Sequence, residues 1–281
     1  MQGLGIRILL GLLPVFSFLA VLILLDGYKL VRPQWVAALI AAGALASVAS
    51  LALNDLIVEN TEVDGRLLVR VIAPGFEELL KGLVIVFMLV RRRVGFLVDA
   101  AIFGFAVGAG FALVENPAFF LALSERGLAL WVVRGFGTAV MHGGVTAIFA
   151  MISKTLADRN GGARFWTFVP GFVVAWMLHS LFNHFFFSPY VSTVLILATL
   201  PALFIVVFHL SERRTRDWLG VGFDTDAELL ELIGAGRVSE SRMGGYLDEL
   251  RDRFPPTVVA DMLCLLRLRA CLLYTSDAAD D

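Results

Sequence analysis

The chain has 281 residues, of which 58% are hydrophobic and 17% charged, against roughly 45 to 50% apolar and 25% charged in an ordinary soluble domain. That composition excludes a water-soluble globule and intrinsic disorder. With 23 basic against 25 acidic residues and a net charge of -2, there is no basic surplus to attract nucleic acid, and two cysteines cannot build a disulfide framework.

A helix that crosses a bilayer needs about 20 mostly apolar residues, because each residue rises 1.5 Å and backbone polar groups must be satisfied inside the segment. Seven stretches meet this, at about 5–25, 35–53, 67–90, 96–120, 128–152, 165–187 and 189–210. In the first, the apolar run from Ile8 to Leu25 is followed by Asp26 and Tyr28. That flank lacks the small residues of a signal-peptide cleavage site, so the stretch is read as a span. Basic residues collect in alternate connections: Lys29 and Arg32, then Arg91, Arg92 and Arg93, then Lys154, Arg159 and Arg164, then Arg213, Arg214 and Arg216. The opposite side holds Arg7, Arg66, Arg70 and Arg126 and an acidic loop with Asp55, Glu59, Glu62 and Asp64. Since cytoplasmic loops carry the excess of Lys and Arg, the expected topology is N-terminus outside and C-terminus cytoplasmic.

Charge then divides the chain. Twenty-five charged residues fall in positions 1–210 and 23 in positions 211–281, so an all-α, polytopic bundle over 1–210 is followed by a small helical cytosolic tail over 211–270. The tail holds a helix around Leu229, Leu230, Leu232 and Ile233, with breaks at Gly234, Gly236, Gly244 and Gly245, and at Pro255 and Pro256. The closing residues 271–281 resemble translated read-through of a sequencing adapter and are set aside from the fold. On that reading the natural tail is truncated and Cys271 is not native.

A charge in hydrocarbon costs several kcal/mol or more, so each ionisable residue inside a span is a functional candidate. Span three carries Pro74 and Gly75 at its centre, then Glu77, Glu78 and Lys81 at spacings that place all three on one helix edge. One carboxylate would suffice for a salt bridge with Lys81; the second carboxylate needs another role. Span four carries Phe111, Glu115 and Asn116, with Glu115 shallow enough to snorkel, and a small-residue face of Gly104, Gly108 and Gly110. Span five has Arg134, Thr138, His142 and Thr146 four apart in a polar stripe, and span six has His179 and Asn183 one turn apart. His184 and His209 read as interfacial, and Asp99 as a capping or snorkelling residue. Measured from the external side, Glu77 lies about 15 Å deep, Glu115 about 8 Å, His142 about 21 Å and His179 about 12 Å. Carboxylates and imidazoles from four helices therefore share the outer half or midplane, a composition suited to activating water.

Peptide hydrolysis needs an activated water, oxyanion stabilisation and a proton for the leaving amine. A buried carboxylate can be the base, or two histidines and a glutamate can hold zinc with a position open for water. His-Glu-x-x-His and Gly-x-Ser-x-Gly are absent, and Cys264 and Cys271 lie in the tail, which removes soluble zinc-protease, serine and cysteine chemistry. Two other classes also bury such groups. A proton-coupled transporter should show a second broken helix to match Pro74-Gly75, and none is evident. A non-catalytic scaffold would use the polar groups only to lock helices together.

Glu77-Glu78-x-x-Lys81, Phe111-x-x-x-Glu115-Asn116, His142 and His179-x-x-x-Asn183, in this order over about 65–190, resemble the PrsW family of intramembrane proteases, distant relatives of the CAAX prenyl proteases. The resemblance implies a multi-pass endopeptidase of the bacterial cell membrane acting on membrane-anchored proteins, such as the first, external cut of an anti-sigma factor. It implies Glu77 or Glu78 as general base. Glu115, His142 and His179 would bind Zn2+ or stabilise charge, and Asn183 would orient the substrate. Lys81, Phe111 and Asn116 would support them. A metal-free glutamate mechanism stands open beside the zinc one.

Overall fold

The structure is a computed structural model that describes residues 2–25, 31–122, 131–184, 186–222, 250–251, 254–262 and 264; within these ranges, side chains are described over 11–119, 131–209 and the segments beyond 249. Lys29, Arg126, Cys271, the 271–281 run and most of the expected tail helix fall outside the described residues. Every regular element among the described residues is helical. Seven principal helices follow one another: α1 (Gln2–Leu25), α2 (Pro33–Asn60), α3 (65–90), α4 (Leu97–Ala122), α5 (Val133–Arg159), α6 (Phe165–His184) and α7 (Pro189–Gly222).

Five of these carry stretches long and apolar enough to cross a membrane: Pro33–Asn60, Leu97–Phe119, Val133–Arg159, Phe165–His184 and Pro189–His209. Five of the seven expected spans are thus marked by length and composition among the described residues. In α1 side chains are described only from Gly11, and α3 carries Glu77, Glu78 and Lys81 along its buried face. Leu45, Leu83, Phe87, Met177, Leu181 and Val194 are exposed on the helices; apolar side chains turned outward on this scale suit lipid rather than water.

The chain divides into two compact units, one of residues 1–90 with 96–207 and one of residues 91–95 with 208–281. In the second, Leu250 and Val259 are buried with Phe254 and Met262 against them, and Arg92 donates to the Arg251 carbonyl at 3.4 Å.

Within the first unit α4 and α5 are the inner pair, with most of each span buried. Their close approach follows from glycine. A Cβ on Gly104 would meet the Ala147 backbone at 2.6 Å, and one on Gly108 would collide with the His142 carbonyl. On another side of α4, Gly110 lies against the Ile40 carbonyl, and Gly43 of α2 lies against the Val107 carbonyl. The expected small-residue face thus admits two neighbours, one on each side. Phe18 of α1, Phe105 of α4 and Phe204 of α7 close the core, with ring centroids 4.9, 5.9 and 6.2 Å apart. Asp99 caps α4, accepting from the Phe96 amide at 2.9 Å.

Two helices depart from α geometry next to the polar residues. In α3 the turn Leu68–Ile72 is π-helical, just before Pro74, whose ring removes an amide donor and crowds the carbonyl four residues back. In α5 the π-helical segment is Val133–Ala139, one turn before His142. At its other end α5 stops at Gly161 and Gly162, whose φ of 68° and 144° suit glycine.

Because Gly43 and Gly110 leave no room for a methyl group, Gly110→Ala should destabilise the purified protein by about 1 to 3 kcal/mol in unfolding titrations in detergent. Unchanged unfolding would contradict the close packing of α2 on α4.

Candidate active site

Four helices bring the candidate residues together. From α3 come Glu77, Glu78 and Lys81, from α4 Phe111 and Glu115, from α5 His142, and from α6 His179; all are buried. Lys81 and His142 are wholly enclosed, so their polar atoms must be satisfied by protein.

Proton positions follow from Lys81, which only donates. Its Nζ donates to Glu78 Oε1 at 2.6 Å and to His142 Nδ1 at 3.1 Å. His142 therefore carries its proton on Nε2, which donates to Glu115 Oε2 at 2.7 Å. Glu115 is also paired through Oε1 with the Arg134 guanidinium at 3.3 Å. With a neutral His179, Nδ1 donates to Glu78 Oε1 at 2.7 Å and the Nε2 lone pair faces Glu77 Oε2 at 3.7 Å. That oxygen is buried without a hydrogen-bond partner among the described residues. Two acceptors facing each other leave a place for a proton, a water or a cation.

Phe111 walls the network. Lys81 Nζ lies 4.5 Å from its ring centroid, a cation–π contact, and the His142 ring lies 5.0 Å away. The two imidazoles meet edge-on, with centroids 4.9 Å apart. Thr146 Oγ1 donates to the His142 carbonyl at 2.9 Å, and Thr138 is buried one turn earlier.

The remaining candidates lie around this centre. Asn116 Nδ2 donates to the Gly11 carbonyl at 3.1 Å, and Asn116 Oδ1 accepts from Arg134 Nε at 3.2 Å, so Asn116 ties α1 to α4 and α5. Asn183 Nδ2 donates to the Val69 carbonyl on α3 at 3.0 Å. Its amide NH2 is directed to backbone, not to the carboxylate and imidazole cluster. His184 Nδ1 donates to the Ser180 carbonyl and stacks on Phe186. Two further donors from α6, Trp176 and Ser180, also reach the π-helical turn of α3. Their signal in the sequence is the i, i+4, i+7 spacing with Asn183.

The donor set can be tested against a metal. Glu77, His142 and His179 each offer a ligand atom, and these atoms lie within 4.8 Å of one another. A glutamate and two histidines are the ligands of many catalytic zinc sites, with Glu78 behind His179 and Glu115 behind His142 as the carboxylates that orient such imidazoles. By formal charge the three glutamates exceed Lys81 and Arg134 by one, which suits a cation. Glu115 is expected among the ligands, but it is paired with His142 and Arg134 and Glu77 lies in the trio instead. His142 has both ring nitrogens engaged, so a metal bound there would replace one of its partners.

An all-helical bundle of apolar spans around buried carboxylates, imidazoles and a lysine has the make-up of a membrane-embedded hydrolase. Residues 32–210 match the PrsW family of intramembrane metalloproteases, and the chain belongs to that family. It is accordingly a multi-pass membrane peptidase, acting on peptide bonds of membrane proteins. No curated protein and no solved structure matches it.

Removing one partner of a buried ion pair strands the other charge. Lys81→Met should cost about 3 to 5 kcal/mol in unfolding titrations in detergent, and adding Glu78→Gln should recover much of the loss. Additive losses would contradict the Lys81–Glu78 pairing.

Proposed function

We propose that this chain is an intramembrane endopeptidase whose reacting carboxylate is Glu77. The observation that carries the reading is the buried Glu77 Oε2, without a hydrogen-bond partner among the described residues, opposite the His179 Nε2 lone pair at 3.7 Å. A water held against these two acceptors loses a proton to Glu77 as it attacks a peptide carbonyl, and Glu77 returns that proton to the leaving amine. Glu78 fixes the tautomer of His179 by accepting from its Nδ1–H. Lys81 holds Glu78 in place and keeps the His142 proton on the side of Glu115. The Glu115–Arg134 pair steadies the His142 ring.

As the alternative to that metal-free route, Zn2+ would be held by Glu77, His142 and His179, where it would supply Lewis-acid polarisation and a lowered pKa for bound water. Glu77 would then be a ligand and not the base. Support comes from the family description and from the donor set.

The finer placement is also a proposal. α1 and α3 cross the bilayer with the other five helices, giving seven spans, and the N-terminus lies outside with the 211–270 tail in the cytoplasm of a bacterial cell. The arginines at 91–93, with Lys154, Arg159 and Arg164, support this orientation. It puts the centre in the outer half of the membrane, where a first cut of a membrane-anchored protein such as an anti-sigma factor would fall.

Glu77→Gln and His179→Ala should each lower cleavage of a membrane-anchored reporter at least about 100-fold, with insertion unchanged. The measurement is reporter cleavage in membranes by immunoblot. Full activity in both variants would remove the proposal and leave the polar residues as helix-locking groups.

A further inference from the structure

The starting point is a backbone deficit. Pro74 has no N–H, so the Arg70 carbonyl loses its donor in an α-helical pattern and the Val69 carbonyl loses it in a π-helical one. A carbonyl left without its helical donor is stabilised by any side chain that can donate to it. Three side chains of α6 donate to this turn, and two of them reach the carbonyls that Pro74 deprives. Asn183 Nδ2 donates to the Val69 carbonyl at 3.0 Å, Ser180 Oγ to the Arg70 carbonyl at 2.5 Å, and Trp176 Nε1 to the Val71 carbonyl at 2.8 Å. Three donors at i, i+4 and i+7 on α6 thus address three consecutive carbonyls of α3.

A second observation points the same way. A Cβ on Gly75 would meet Trp176 Nε1 at 3.3 Å, so glycine after the proline makes room for the indole. Phe172 stacks on that indole, with centroids 6.1 Å apart and planes 24° apart, and holds it over the turn. The Pro74-Gly75 break and Trp176 are complementary parts of one joint.

What the joint sets is the position of Glu77 and Glu78, which begin two and three residues after Gly75. His179 precedes Ser180 on α6 and reaches both carboxylates, Glu78 Oε1 at 2.7 Å and Glu77 Oε2 at 3.7 Å. The same helix therefore grips α3 twice, at the backbone of 69–71 and at the side chains of 77–78. We infer that Trp176, Ser180 and Asn183 form a positioning seam that fixes the broken turn of α3 and so sets Glu77 against His179 in reacting geometry. This rests on the catalytic reading of Glu77 and Glu78. None of the three touches the reacting atoms; they act through the α3 backbone.

The test uses the purified full-length protein in proteoliposomes with a quenched-fluorescence peptide chosen by wild-type turnover. Four variants are compared: Ser180→Ala, Ser180→Thr, Trp176→Phe and, as reference, Glu77→Gln. A misplaced reacting group costs far more in kcat than in binding. Ser180→Ala and Trp176→Phe should therefore lower kcat at least about tenfold, with KM within about twofold of wild type. Ser180→Thr, which keeps the hydroxyl, should restore kcat to within about threefold. The inference is overturned if Ser180→Ala and Trp176→Phe keep wild-type kcat while Glu77→Gln is inactive. It is also overturned if their losses fall on KM and on thermal stability, or if Ser180→Thr fails to rescue, since packing alone would then explain the effect. Wild-type turnover by Glu77→Gln would instead sink the catalytic reading itself, and the seam would lose its role with it.

Discussion

Charge buried inside a membrane bundle must be neutralised by other side chains, because neither water nor lipid supplies a partner. The interior of this protein is organised by that constraint. Lys81 lies at its centre, bonded to Glu78 and His142 and seated on the Phe111 ring. From Lys81 one chain of hydrogen bonds runs through His142 to Glu115 and Arg134, and another through Glu78 to His179. Each link fixes a tautomer or a ring orientation. The sequence of links ends at His179 Nε2 and Glu77 Oε2, 3.7 Å apart, the latter without a hydrogen-bond partner among the described residues.

Such a network needs short distances between four helices, and small residues provide them. Gly104 and Gly108 let the backbone of α5 approach α4 until His142 reaches Glu115, and Gly43 with Gly110 seats α2 on another side of α4. The π-helical turns act on the same scale. Each inserts extra backbone just ahead of a polar cluster, Leu68–Ile72 before Glu77 and Val133–Ala139 before His142. π-turns inside helices are frequent at functional sites because they re-aim side chains while freeing carbonyls. Here the freed carbonyls of α3 are taken up by α6, the helix that also supplies His179.

Much of this is legible in the sequence because membrane burial makes polar residues conspicuous. Glu77, Glu78, Lys81, Glu115, His142 and His179 stand out against apolar runs and meet in the structure, but not at the depths read from span edges. Depths of about 8 Å for Glu115 and about 21 Å for His142 would keep apart two side chains that lie 2.7 Å from each other, because the edge of an apolar run does not fix the register between helices. The glycine face of α4 is legible for the same reason. What spacing cannot show is which carboxylate pairs with which imidazole. Glu115 reads as a ligand beside the histidines, yet Arg134 and His142 engage it and Glu77 enters the trio with the two imidazoles. Asn183 reads as a substrate-orienting residue, and spacing does not show that its Nδ2 donates to the Val69 carbonyl. Helical periodicity assumes 3.6 residues per turn, so π-helical segments, and the carbonyls they expose to Trp176 and Ser180, are invisible to it. Among the described residues α3 falls outside the five stretches that length and composition alone mark as spans, because the charges along its buried face lower its hydropathy.

The proposal most open to test is that Glu77 and the two histidines form one centre able to hold a cation. The most direct measurement is the metal content of the purified wild-type protein beside that of folded Glu77→Ala, by elemental mass spectrometry after exhaustive buffer exchange. The account predicts about one zinc per wild-type chain, as at a catalytic site with three protein ligands, and its loss in the variant. Equal zinc in both, or active wild-type protein carrying none, would contradict it.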